Sequence, residues 1–166
     1  MNKLKDLDYK IFFELMKNSK LSDRQLAKKI GFSQPTVTRR RMRLEKEVIE
    51  AYTAVPKWEK LGYEIFAITL VKSESVLATK EKYKAVRKRG IEWLMNQPNV
   101  IMAGGCRGAG ITAFMISIHR SYSEYDEFMY KYRLELGDTI NDLRTILVNL
   151  AGRELLKPLN FRYLAE

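Results

Sequence analysis

Between Ser22 and about Lys46 the chain reads as helix, tight turn, helix. Ser22-Asp-Arg-Gln25 has the form of a capping box, a Ser and a Gln three apart that satisfy each other's backbone N–H groups at a helix start. Leu26, Ala27 and Ile30 then supply one buried face. Gly31 is placed to take the left-handed conformation that stops a helix. Ser33 is a second cap residue, and Pro35 falls in the first turn, where a missing N–H costs nothing. Upstream, Leu4, Leu7, Ile11 and Leu15 recur at helical spacing, with Phe12 and Met16 widening the stripe, until Asn18-Ser19-Lys20 ends the segment. Three short helices, the last two joined through Gly31-Phe32, have the spacing of a helix-turn-helix.

Charge follows the same segment. Residues 1–60 carry 15 Lys+Arg and 8 Asp+Glu, net +7, whereas residues 61–166 carry 15 and 12, net +3. A basic excess in the first third is the footprint of a polyanion partner, most simply nucleic acid. On the third helix Val37, Leu44 and Val48 fall in a narrow arc and are expected to be buried. Pro35, Thr36, Arg39, Met42, Arg43 and Lys46 face the other way, with Arg40 and Arg41 flanking the buried stripe. Guanidiniums read guanine N7 and O6 in a major groove, and short residues near a helix start approach base edges. The expected base-reading residues are therefore Gln34, Thr36, Thr38, Arg39 and Arg43, with Ser22 and Ser33 as further expected DNA contacts. Arg24, Lys28, Lys29, Arg40 and Arg41 are better placed for phosphates, which position the protein rather than specify sequence.

After this, Val48 to Val55 alternates, with Ile49, Ala51, Thr53 and Val55 on one side, and predicts a strand forming half of a wing hairpin. Pro56 breaks it. The expected organisation is a winged helix-turn-helix over 1–56, a linker over 57–62, a second domain over 63–150 and a tail over 151–166. Within the second domain, 63–71 reads as a strand, 79–96 as a helix, 99–104 as a strand, 104–110 as a glycine-rich turn, 111–119 as a strand, 122–136 as a helix and 143–150 as a strand. That order, β-α-β-β-α-β, is the ferredoxin-like arrangement, so the fold class is α+β. On the strand 111–119 the alternation sets Thr112, Phe114, Ile116 and Ile118 on one side.

Other chemistries find little support. One Cys (Cys106) and one His (His119) offer no disulfide and no zinc set without unusual carboxylate help, and a catalytic triad would rest on His119 alone. The turn at 104–110 lacks the Gly-Lys-Ser/Thr end of a phosphate-binding loop, so a tight hairpin explains its glycines. Cys106 reads as a small buried residue and His119 as a structural one. No apolar run approaches a membrane span, and the start shows no apolar signal-peptide core, so a cytoplasmic chain with no membrane partner is expected. No catalytic residue, metal site or cofactor is predicted.

Residues 6–62 resemble the N-terminal domain of the Lrp/AsnC family of transcription regulators. The matching positions are Leu7-Asp8, Ile11, Leu15, Leu21-Ser22, Leu26-Ala27, Gly31, Ser33, Val37, Arg40, Leu44-Glu45, Ile49, Tyr52, Ala54 and Leu61-Gly62. The order of elements over 63–150 is similar to the family's effector-binding and assembly domain. The resemblance implies double-stranded DNA and a second copy of the chain as partners, C-terminal domains paired sheet to sheet, and amino acids or related small molecules bound between subunits. Arg107 is the candidate for an effector carboxylate. Three departures stand out: Arg41 replaces a usual apolar residue, the turn at 104–110 lacks the usual Gly-Asp pattern, and the tail is an addition. Phe161, Tyr163 and Leu164 predict that this tail packs on the domain or on a partner subunit. Two competing readings are a broad-specificity architectural DNA-binding protein and an enzyme such as the tetrapyrrole decarboxylases, which resemble this family in both domains.

Overall fold

The computed structural model describes residues 4–73, 80–152 and 155–165. The chain divides into two compact units, Met1–Val55 with Pro158–Glu166, and Pro56–Lys157.

The first unit holds α1 (Asp6–Lys17), α2 (Asp23–Ile30) and α3 (Gln34–Glu47). At the start of α2 the capping box forms: Ser22 N–H donates to Gln25 Oε1 at 2.8 Å, and Gln25 N–H donates to Ser22 Oγ at 3.3 Å. Gly31 ends the helix at φ 75°, where only glycine is free of strain. Ser33 occupies the cap position of α3 but makes no cap bond to the backbone. Its hydroxyl instead meets the Thr36 hydroxyl at 2.9 Å, a competing partner three residues on. Ile11, Leu15, Leu26, Ala27, Val37 and Leu44 form the core, bordered by Leu7, Phe12, Leu21, Ile30 and Ile49.

Two expectations fail here. Val48 lies beyond the end of α3 and is 40% exposed, so it is not part of the buried stripe. The strand expected over 48–55 is not formed: residues 49–57 have no regular structure. A strand needs a partner for its backbone, and past Pro56 the chain enters a 3-10 helix (Trp58–Leu61) instead of returning as a second strand. Tyr52 instead turns to α3, donating its hydroxyl to Glu45 at 2.9 Å while the Arg41 guanidinium stacks over its ring.

The tail comes back to this unit as a 3-10 helix (Phe161–Leu164) lying against α1. The residue that anchors it is Ala165, which is fully buried, whereas Phe161 and Leu164 remain mostly exposed and Tyr163 is half-buried.

The second unit is a four-stranded antiparallel sheet in the order β2-β3-β1-β4, with β1 (Ile65–Ser73), α4 (Lys80–Met95), β2 (Val100–Gly108), β3 (Ile111–His119), α5 (Tyr122–Leu136) and β4 (Ile140–Asn149). The expected helix start at 79 and part of the tail (153–154 and 166) lie outside the described residues. Ala67, Val71 and Met115 of the sheet pack with Tyr125, Phe128, Met129, Tyr132 and Leu136 of α5. Trp93 and Leu94 of α4 join them, Trp93 lying 5.0 Å from the Tyr132 ring and 5.4 Å from Phe128. Burial pushes the Tyr132 phenol up to about 12.

The glycine-rich segment is shorter as a turn than its composition implied. β2 continues to Gly108, so Gly104 to Arg107 are strand residues, and the turn is Ala109-Gly110 alone. Both turn residues have positive φ, 49° and 75°, the handedness that matches the twist of a two-residue hairpin. On β3, Phe114 and Ile116 do share a face, but the face under the helices is the other one, carrying Ala113, Met115, Ser117 and His119.

Candidate nucleic-acid interface

The second helix of the helix-turn-helix, α3, places its cations in two environments. Gln34, Pro35, Thr38, Arg39 and Met42 line a shallow open depression on its outer face. Arg39 is exposed there and Met42 is 65% exposed. Arg24 and Lys28 on α2, and Lys46 at the end of α3, are exposed as well. Among the described residues Arg39, Arg24, Lys28 and Lys46 are engaged by no acid.

The remaining cations are committed within the unit. Arg40 Nη1 reaches both carboxylate oxygens of Asp8, at 3.1 and 3.0 Å, and Asp8 is fully buried. The same carboxylate accepts the Lys5 N–H at 2.8 Å, so one acid caps α1 and ties α3 to it. Arg41 Nη1 donates to the Leu21 carbonyl at 2.8 Å and to Asp23 at 3.1 Å, while its Nε donates to Glu45 at 2.8 Å. Thr38 donates its hydroxyl to the other oxygen of Asp23 at 2.7 Å. Arg41 and Thr38 therefore fix the angle between α2 and α3 through a single carboxylate. Arg43 Nε donates to Glu47 at 3.0 Å, and Lys29 pairs with Glu14. That hydrogen bond from Lys29 holds the Glu14 carboxyl below its usual range against the opposing effect of burial.

Of the expected contact residues, Gln34 and Arg39 are exposed together on the outer face. Thr36 lies beside them but spends its hydroxyl on Ser33. Ser22 is occupied by its capping box. Arg107 sits apart, exposed near the end of β2 in the second unit. Sequence reasoning missed Asp8 as a partner for Arg40. The signal was present, because Asp8, Ile11 and Leu15 fall at i, i+3, i+7 on the buried stripe, where a carboxylate must find a cation.

In the second unit His119 is fully buried against Tyr125 and Phe128. Asn99 Nδ2 lies 3.2 Å from its Nδ1, and Ser117 Oγ lies 2.8 Å from its Nε2. Both nitrogens are satisfied by a neutral ring, and burial holds its pKa below the ordinary value despite the attraction of Glu124. Among the described residues no group of three His, Cys, Asp or Glu side chains could hold a metal ion, and no helix is long and apolar enough to cross a membrane.

Three helices with an exposed guanidinium and amide on the last have the form of a helix-turn-helix DNA-binding unit, and the family model described as winged helix-turn-helix DNA-binding matches residues 4–47. An uncharacterised HTH-type transcriptional regulator of Pyrococcus furiosus is 41% identical over 70 residues, 42% of this chain and 47% of that one, so the chain spans about half of that relative. The HTH-type transcriptional regulator LrpC of Bacillus subtilis is 32% identical over 131 residues, 78% of this chain and 83% of LrpC. The solved LrpC structure superposes with a TM-score of 0.69 at 26% identity, covering 88% of this chain and 94% of that one. A transcriptional regulator of Neisseria meningitidis, solved in complex with L-Met, superposes with a TM-score of 0.78 over 98% of this chain and 99% of that one; at 19% identity it shows the fold alone. The chain belongs to the Lrp/AsnC family of DNA-binding transcriptional regulators.

Proposed function

We propose that this chain is a sequence-specific regulator that inserts α3 into the major groove and acts as a dimer or larger assembly. The observation that carries this reading is the division of labour on α3. Arg40, Arg41 and Thr38 are spent on holding the helix in place. Gln34, Arg39 and Met42 face outward, and among the described residues no acid engages Arg39. A helix fixed from behind loses little entropy when its outer groups meet base edges. One such helix reads few bases, so two copies are needed, with their helices about 34 Å apart on a pseudo-palindromic site.

Self-association has a surface to use. Both helices of the second unit cover one face of the sheet, and the other face carries Phe114, Ile116, Met102 and Ile146, the last two 56% and 55% exposed. A small molecule of the amino-acid class, as bound by the Neisseria protein, is the proposed effector, with Arg107 as the partner for its carboxylate. The reading places the chain in the cytoplasm and gives it no catalytic residue.

The test is selection of bound fragments from random duplex DNA at about 0.15 M salt, a strength that suppresses much of the phosphate-only binding. An enriched palindrome is the expected result, and binding without a motif would favour the architectural reading. Arg39→Ala should then lose about 1–3 kcal/mol of discrimination at particular base pairs. Equal loss on every sequence would make Arg39 a phosphate contact. For the effector, Arg107→Ala should remove any response of DNA binding to added amino acids, and an unchanged response would dismiss that role.

A further inference from the structure

The basic excess of the second unit is confined to one helix. Residues 56–157 carry 16 Lys+Arg and 12 Asp+Glu, net +4, and α4 alone holds six Lys+Arg against two Glu, so everything else in the unit is net zero. None of the α4 residues is buried, and the helix meets the core through Trp93 and Leu94. Lys80, Lys84, Arg87 and Lys88 fall within an arc of about 100° beside that packed side. Arg89 is taken by Asp138, and Lys88 lies 3.7 Å from Glu92 with both side chains largely in solvent. Lys80, Lys84 and Arg87 are exposed and are engaged by no acid among the described residues.

We propose that α4 is a second contact surface for duplex DNA, gripping phosphates of the same duplex beyond the base pairs that α3 reads. The inference rests on the DNA-binding reading of α3. A row from position 80 to position 88 is about 12 Å long, and a duplex presents a charge about every 1.7 Å of its axis, so a rigid row of this length meets several phosphates at once. A chain that already holds DNA through its first unit presents that duplex to its second at high effective concentration. A lipid surface fits less well. Ile91 and Met95, the exposed apolar residues of this side, lie within the cationic arc, whereas an interfacial helix keeps its apolar and charged faces apart.

The test compares two duplexes carrying the selected sequence, one ending at the site (about 22 bp for two half-sites a turn apart) and one with long flanks on both sides. The protein is the full chain, as wild type and as the triple variant Lys80→Gln, Lys84→Gln, Arg87→Gln, whose exposed positions leave the core untouched. Wild type should bind the long duplex more tightly, with a steeper salt dependence. The variant should match wild type on the short duplex and lose about 10-fold on the long one, with the slope of log K against log salt reduced by about 2–3 per protomer. Equal slopes for the two proteins on the long duplex would overturn the proposal. Failure of wild type on the short duplex would overturn the reading of α3 instead. Loss by the variant of binding to vesicles of equal parts phosphatidylcholine and phosphatidylserine, with long-duplex binding unchanged, would reassign the surface to lipid.

Discussion

The two units hold themselves together by different means. In the first, the hydrophobic core is six aliphatic side chains, and the helix angles are fixed by ion pairs: Arg40 to buried Asp8, and Arg41 with Thr38 to Asp23. In the second, a four-stranded sheet packs on an aromatic layer of Trp93, Tyr125, Phe128 and Tyr132, and charged groups play little part in the core. The consequence is that two helices of similar basic composition differ in use. On α3, three arginines are turned to acids of the same unit, leaving Arg39 on the outer face. On α4 the aromatic layer does the holding, and Lys80, Lys84 and Arg87 stay available. A count of charges on a helix therefore overstates its binding capacity wherever the fold recruits those charges for packing.

The largest test of this contrast is Arg40→Ala. It strands a fully buried carboxylate, and a broken buried pair costs about 3 kcal/mol or more. Urea denaturation should show the first unit unfolding well before the second. Asp8→Asn together with Arg40→Ala should recover part of the loss, because the amide removes the buried charge. If Arg40→Ala leaves stability intact but weakens DNA binding, Arg40 belongs with the phosphate contacts and the division of labour on α3 is wrong.

A smaller effect tests the second unit. His119 is neutral in the fold, with its pKa below the ordinary 6.5 because burial disfavours the charged ring. Its contribution to stability is complete above 6.5. As pH falls below that value the unfolded chain takes up a proton that the folded chain refuses, and stability declines toward the folded pKa. Unfolding free energy should drop as pH falls below 6.5 in wild type and drop less in His119→Gln. Identical slopes would show that the ring is not held neutral. The smallest effect on folding is expected at Arg39→Ala, within about 0.5 kcal/mol, since the side chain is exposed and is engaged by no acid among the described residues.

Much of the architecture was legible because it is written in local rules. The capping box at Ser22, the left-handed Gly31 and the period-3.6 stripes on α1, α2 and α5 each depend on residues a few positions apart. The strand after α3 was misread because alternation reports only that a segment could be a strand. Whether a neighbouring backbone completes it is a long-range fact, and among the described residues no strand pairs with 49–57. The fate of individual arginines was hidden for the same reason. Arg39, Arg40 and Arg41 are consecutive and chemically identical, yet one is exposed, one lies on an acid 32 residues away and one on an acid 18 residues away.

Local sequence sufficed for the helices, for the four strands of the second unit and for the basic character of α3 and α4, since each follows from propensity, periodicity or composition over a short window. Packing settled which cations of α3 meet acids, which face of β3 lies under the helices, and that the 3-10 helix of the tail rests on α1. Those outcomes depend on burial and on partners brought together from distant positions, where a carboxylate or a small side chain is selected by the space it enters and not by its neighbours along the chain.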